Sequence, residues 1–171
     1  MNVLFAISLT TGILSGIWGW IAVSLGLLSW AGFLGCTSYF ATSKTGIKGL
    51  AQSLLCNLSG VFWAWVILSL SQLIAWDIMG YVITALVAFM MCIQAKQAWL
   101  AYIPGTFIGS CAMFAADGNG LLVIPSLFLG GVFGYAMKTS GLWLHQRNEK
   151  RKGEVKPSLT SRCNKKQAVI R

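Results

Sequence analysis

The stretch MNVLFAISLTTGILSGIWGWIAVSLGLLSWAGFLGCTSYFATS, residues Met1–Ser43, holds no charged side chain. A soluble domain needs charged residues on its outer face, and forty-three residues without one leave no such face. In a bilayer the logic reverses, because each backbone amide must find its partner within its own segment and helix is the cheapest way to do so. No Lys or Arg precedes the apolar run and no small-residue cleavage site follows a short core, so Val3–Val23 reads as a retained first helix.

The rest of the chain continues the pattern. Between Asp77 and Asp117 the only charged residue is Lys96, and hydrophobic residues make up 56% of all 171. Eight Trp and nineteen Gly fit a membrane protein, the first as interface anchors and the second as close-packing positions. Trp30, Trp76 and Trp99 flank the apolar runs, whereas Trp63 and Trp65 lie deeper and read as belt or packing residues. Turn residues divide the chain into helices predicted at about 3–23, 27–42, 49–70, 73–93, 98–115 and 121–137. The predicted fold class is therefore an all-α integral membrane protein of about six transmembrane helices.

Basic residues set the orientation. With a cytoplasmic N-terminus, Lys44, Lys48, Lys96 and everything after Leu144 lie inside, which satisfies the positive-inside rule and puts both termini in the cytoplasm. The segment 145–171 carries nine Lys or Arg against Glu149 and Glu154. It reads as a disordered tail next to a membrane domain of residues 1–144, because it has too little apolar surface to offset its ordering entropy. Anionic lipid headgroups suit such a tail as partners. Nucleic acid is not expected, since no aromatics interleave the charges.

An internal repeat gives the domain its predicted architecture. A shift of 74 residues aligns Ala31–Gly60 with Gly105–Gly134, with seven of thirty positions identical: Phe33/Phe107, Gly35/Gly109, Phe40/Phe114, Ala41/Ala115, Gly46/Gly120, Leu55/Leu129 and Gly60/Gly134. Ala31-x-x-x-Gly35 falls on Gly105-x-x-x-Gly109, and Cys56-x-x-x-Gly60 on Gly130-x-x-x-Gly134. Three spans per copy force the second copy upside down, so halves at about 1–70 and 73–144 form two inverted three-helix repeats.

The second span of each half is short and interrupted by Gly or Pro, the pattern that points to a solute site at a repeat interface. Pro104 removes an amide donor, and Gly105 exposes backbone. The candidate solute pathway is Gly35, Asn57, Pro104, Gly105, Thr106 and Gly109. The same glycines could serve packing alone. Asn57 needs a partner in mid-membrane, either across helices or in a polar pore. The other hydroxyls, Ser38, Ser53, Ser59, Ser110 and Ser126 among them, are expected mostly to bond back to the carbonyl one turn earlier.

Chemistry of other kinds lacks its parts. The spans hold no His and no acid away from their ends, so neither side-chain proton relays nor acid–base hydrolysis is expected, and the chain does not read as an enzyme. The five cysteines show no metal-ligand spacing, and no cofactor is implied; Cys163 reads as a free thiol in the tail.

The stretches Thr10–Trp20, Met91–Gln97, Pro104–Gly109, Phe133–Lys138 and Ser140–Trp143 resemble the YcdZ-like inner-membrane proteins of enterobacteria over about Met1–Leu144. That family is a domain of unknown function, so the resemblance implies a bacterial inner membrane and transfers no site residues. The expected function is a passive channel or transporter for a small neutral solute, working as a homo-oligomer in the lipid bilayer. The alternative is a membrane scaffold or regulator of a partner protein.

Overall fold

The computed structural model describes the backbone of residues 2–73 and 77–168 and the side chains of residues 2–72 and 78–150. Trp76 and Cys163, read above as an interface anchor and a tail thiol, lie outside those side chains. The elements are α1 (Val3–Ser24), α2 (Ser29–Ala41), α3 (Gly46–Leu73), α4 (Asp77–Ile93), a 3-10 turn (Gln94–Lys96), α5 (Ile103–Ala115) and α6 (Gly120–Ala168), with no strand among the described residues. Segments within α1, α3, α4 and α6 are long and apolar enough to cross a membrane, and α5 is a shorter apolar helix.

Local chemistry explains most boundaries. α1 stops where Gly26 turns to φ +65°, with Leu27 N–H donating to the Ala22 carbonyl and Gly26 N–H to that of Val23. That pair of bonds is a Schellman cap, and glycine enters its left-handed position without steric cost. α5 begins five residues later than the predicted 98, because Pro104 occupies its first turn and residues 97–102 form a turn and irregular backbone. α2 and α5 have thirteen residues each, about 20 Å of helix against a hydrocarbon core of about 30 Å. α6 departs from expectation in the other direction. Its backbone stays helical as far as Ala168, through a segment whose composition predicts disorder. The strong helix formers from Gln146 to Lys152 favour propagation of a helix already started in the bundle.

Packing concentrates on two helix pairs, α2 along α6 and α3 along α5, with α1 against α6 and α4 against α3 outside them. Small residues let the backbones touch. A Cβ built on Gly35 would collide with the Leu127 carbonyl oxygen and reach the Gly131 amide nitrogen at 3.0 Å; one on Gly109 would collide with the Asn57 carbonyl. Gly60 lies against the backbone of Thr106 and Ser110, and Gly134 against that of Cys36. These contacts come in pairs: adding 74 to each number carries Gly35 to Gly109, Asn57 to Gly131, Gly60 to Gly134 and Cys36 to Ser110.

One end of the bundle collects the basic residues. Lys44 Nζ donates to the Ala98 carbonyl at 3.5 Å, and Thr45, Lys138 and Gln146 line one cavity. The start of α1 lies near the same stretch of α6, where Thr10 Oγ1 donates to the Met137 carbonyl at 3.0 Å and Ile7 lies against Gly141.

Candidate functional site

α2 and α3 meet through hydroxyl and amide groups. Ser53 Oγ donates to Ser38 Oγ at 2.8 Å, and Ser38 Oγ donates to Asn57 Oδ1 at 2.8 Å. All three residues are buried, Asn57 at 1% exposure. Ser53 and Asn57 are four positions apart, so both project from one face of α3 towards α2. The chain of bonds leaves the Asn57 amide nitrogen without a hydrogen-bond partner, and the Tyr102 hydroxyl lies beside Ser38. A buried polar atom left unpaired costs about 1–3 kcal/mol.

A second set of bonds anchors the turn before α5. Gln94 Oε1 accepts from Ser59 Oγ at 2.8 Å and from Trp63 Nε1 at 2.9 Å, while Gln94 Nε2 donates to Thr106 Oγ1 at 3.2 Å. One amide thus joins α3, the end of α4 and α5. Gln52 Nε2 donates to the Ala98 carbonyl at 3.1 Å and the Cys56 thiol to that of Trp99 at 3.7 Å, which pins residues 97–102 along α3. A cavity of about 500 Å³ opens on the basic side of this seam, lined by Lys44, Lys48, Gln52, Ala98 and Trp99 among others.

The six residues singled out from sequence fall into two groups. Asn57 and Thr106 belong to the polar networks just described. Gly35 and Gly109 sit at backbone-to-backbone helix contacts, Pro104 forms the first turn of α5, and Gly105 lies beneath the Tyr102 ring. None of the six lines the cavity beside Lys44.

Sequence comparison points to one lineage. The family described as "Protein of unknown function (DUF1097)" matches residues 8–142. The chain belongs to this family. Inner membrane protein YcdZ of Escherichia coli (strain K12) is 63% identical over 160 residues, covering 91% of this chain and 98% of the relative. Inner membrane protein YcdZ of Salmonella typhimurium (strain LT2) is 63% identical over 150 residues, covering 87% and 94%. A more distant relative, the uncharacterized protein YahC of Escherichia coli (strain K12), is 29% identical over 167 residues, covering 90% of this chain and 99% of its own. No solved structure matches. The resemblance read from sequence is borne out, and the coverage of the first relative exceeds the share that residues 1–144 represent, so the likeness runs on into the basic segment.

Membership of this family assigns no chemistry, so the geometry has to supply the roles. Sequence reasoning missed the cross-helix bonding of Ser38 and Ser53, which it grouped with locally bonded hydroxyls. Thr37, Thr84, Ser110 and Ser126 do bond back within their own helices, at 2.7–2.9 Å. Nothing in a lone apolar-flanked serine separates the two cases; the spacing of Ser53 and Asn57, one turn apart on one face, was the available signal. Gln94 read as a turn residue and Trp63 as a belt or packing residue, yet together they form the hub before α5.

Proposed function

We propose that the chain is a bacterial inner-membrane protein with a passive pathway for a small neutral solute, running between two inverted three-helix halves. The observation that carries this reading is the polar cluster of buried Ser38, Ser53 and Asn57 with the neighbouring Tyr102, neutral throughout, with the Asn57 amide nitrogen unused by the protein. The paired contacts related by 74 residues support the inverted repeat, and the two short helices fit it, since substrate sites in such folds lie at broken or short spans near the midplane. The gathering of Lys44, Lys138 and the start of α1 at one end supports cytoplasmic termini. Association into homo-oligomers is part of the proposal. On α1, a Cβ on Gly12 or Gly16 would meet nothing within 4 Å, which leaves that backbone open to a neighbouring helix. The reading includes no catalysis.

A second reading, a non-transporting scaffold, draws on Gly35 and Gly109, which press on backbone and line no described passage. Purified protein in liposomes decides between them through the rate of swelling against glycerol, urea and other small neutral solutes. Faster swelling than empty liposomes for at least one solute is expected, with loss of the gain in Asn57→Leu. Equal rates for the wild type and empty liposomes across the series would leave the scaffold.

A further inference from the structure

The basic end of the bundle carries a second cavity, whose lining includes none of the polar cluster's four residues. It has a volume of about 350 Å³ and lies between α6 and the corner where α2 turns into α3. We propose that it binds the phosphate of an anionic glycerophospholipid, with the headgroup in the cavity and the acyl chains running down the outside of α6.

Chemistry and depth both support this. Among the described residues Lys138 is the only charged one in the lining and no carboxylate is present there, so the local field favours an anion. Its ammonium sits 5.4 Å from the centre of the Tyr39 ring, an attraction that holds the cation at the cavity. Tyr39 is itself 1% exposed and braced edge-on by Tyr135 at 5.8 Å, so the floor is rigid. Thr139 and Gln146 add neutral hydrogen-bonding groups to the wall. Arg147 lies 5.1 Å from the Trp143 ring and brings a second cation to the rim.

The level in the bilayer follows from helix length. Lys138 is eighteen residues after Gly120, the first residue of α6, and at 1.5 Å each this places it about 27 Å along the axis. That is close to the thickness of the hydrocarbon core, so the ammonium reaches headgroup level when α6 begins at the opposite surface. Leu142 and Trp143, 40% and 56% exposed, offer apolar surface beside the cavity where glycerol and the first acyl carbons would lie. Basic pockets between spans on the cytoplasmic side suit anionic headgroups, whose attraction to a fixed cation is strengthened at the membrane surface.

The test uses delipidated full-length protein in neutral detergent, titrated with phosphatidylglycerol or phosphatidylcholine and followed by native mass spectrometry. Phosphatidylglycerol should be retained at least about tenfold better, and Lys138→Gln should remove most of that preference. Thr139→Val, a change at an exposed position, should weaken retention by a smaller factor with melting unchanged, which covers the case where Lys138→Gln unfolds. Lys165→Gln with Lys166→Gln, which reduces the charge of the basic segment, should leave retention intact. Equal retention of the two lipids would overturn the proposal. So would loss of retention only in the Lys165/Lys166 variant, which assigns lipid to the basic segment, or displacement of the lipid by millimolar glycerol 3-phosphate, which makes the site one for soluble phosphate.

Discussion

The contact of α2 with α3 and its counterpart 74 residues later share positions and differ in chemistry. Ser38, Ser53 and Asn57 correspond to Ala112, Leu127 and Gly131. The first set is joined by hydrogen bonds; in the second, Ala112 and Leu127 belong to an apolar cluster with Val61, Ala64, Met113 and Val123. The glycine contacts beside them are alike in both places, Gly35 against Leu127 and Gly131, Gly109 against Asn57. Packing therefore tolerates apolar side chains at these positions, and the polar set is not what closes the bundle. Under the proposed function, that polarity serves the solute rather than the packing.

The largest expected effect tests the shared part of the comparison. Gly35→Ala and Gly109→Ala each push a methyl group into backbone of the facing helix, and overpacking of this kind costs roughly 1–3 kcal/mol. Leucine at either position should prevent recovery of folded protein. Unfolding in mixed detergent micelles with added SDS measures both alanine variants, which should fall together. A large loss in one and none in the other would break the equivalence. Unchanged stability with loss of solute flux would move these glycines from the packing into the pathway.

How much of this was legible beforehand depended on the kind of signal. Small residues four apart are a one-dimensional pattern, so Gly35, Gly60, Gly109 and Gly134 could be marked as contact positions from spacing alone. Helix ends at Gly26 and before Pro104 had sequence markers too, although the apolar run Ala98–Ile103 hid five residues of turn and irregular backbone, since apolarity at the membrane does not distinguish helix from a pinned segment. The polar cluster was half visible. Asn57 stood out because an amide in mid-membrane demands a partner, but which partner depends on how α2 rotates against α3. Tyr102 and Gln94 could not be placed for the same reason, because their roles rest on the path of residues 94–102 rather than on local propensity.

A smaller effect tests the part that differs. Asn57→Ala removes the acceptor of the Ser38 hydroxyl, and Ser38→Ala removes that donor while stranding the Ser53 hydroxyl. Hydrogen bonds between membrane helices average about 0.6 kcal/mol in mutant cycles and seldom exceed about 1.7. The double variant should therefore lose less stability than the two singles added together, by an amount in that range, and should stay folded as its apolar counterpart does. Strict additivity would mean that the Ser38–Asn57 bond contributes nothing. A collapse of folding would show that the polar set carries structure after all.

The smallest expected effect concerns the connections that follow the two short helices. α2 ends through Thr42 in extended backbone, φ −68° and ψ 141°, with the residue 5% exposed. α5 instead ends in a Schellman cap, with Gly118 N–H donating to the Met113 carbonyl and Asp117 N–H to that of Phe114. Asp117 occupies the left-handed position at φ 49°, where a side chain is strained and glycine is not. Asp117→Gly relieves that strain but lets the unfolded chain roam more widely, a cost of roughly 0.5–1 kcal/mol that cancels most of the gain. A net stabilisation of a few tenths of a kcal/mol should remain, visible as a small rise in melting temperature. Thr42→Gly should move the other way, since its backbone needs no glycine and its buried side chain is lost. If Asp117→Gly lowers the melting temperature, its carboxylate contributes more at the end of α5 than the strain it carries there, and the two connections differ in chemistry as well as in backbone.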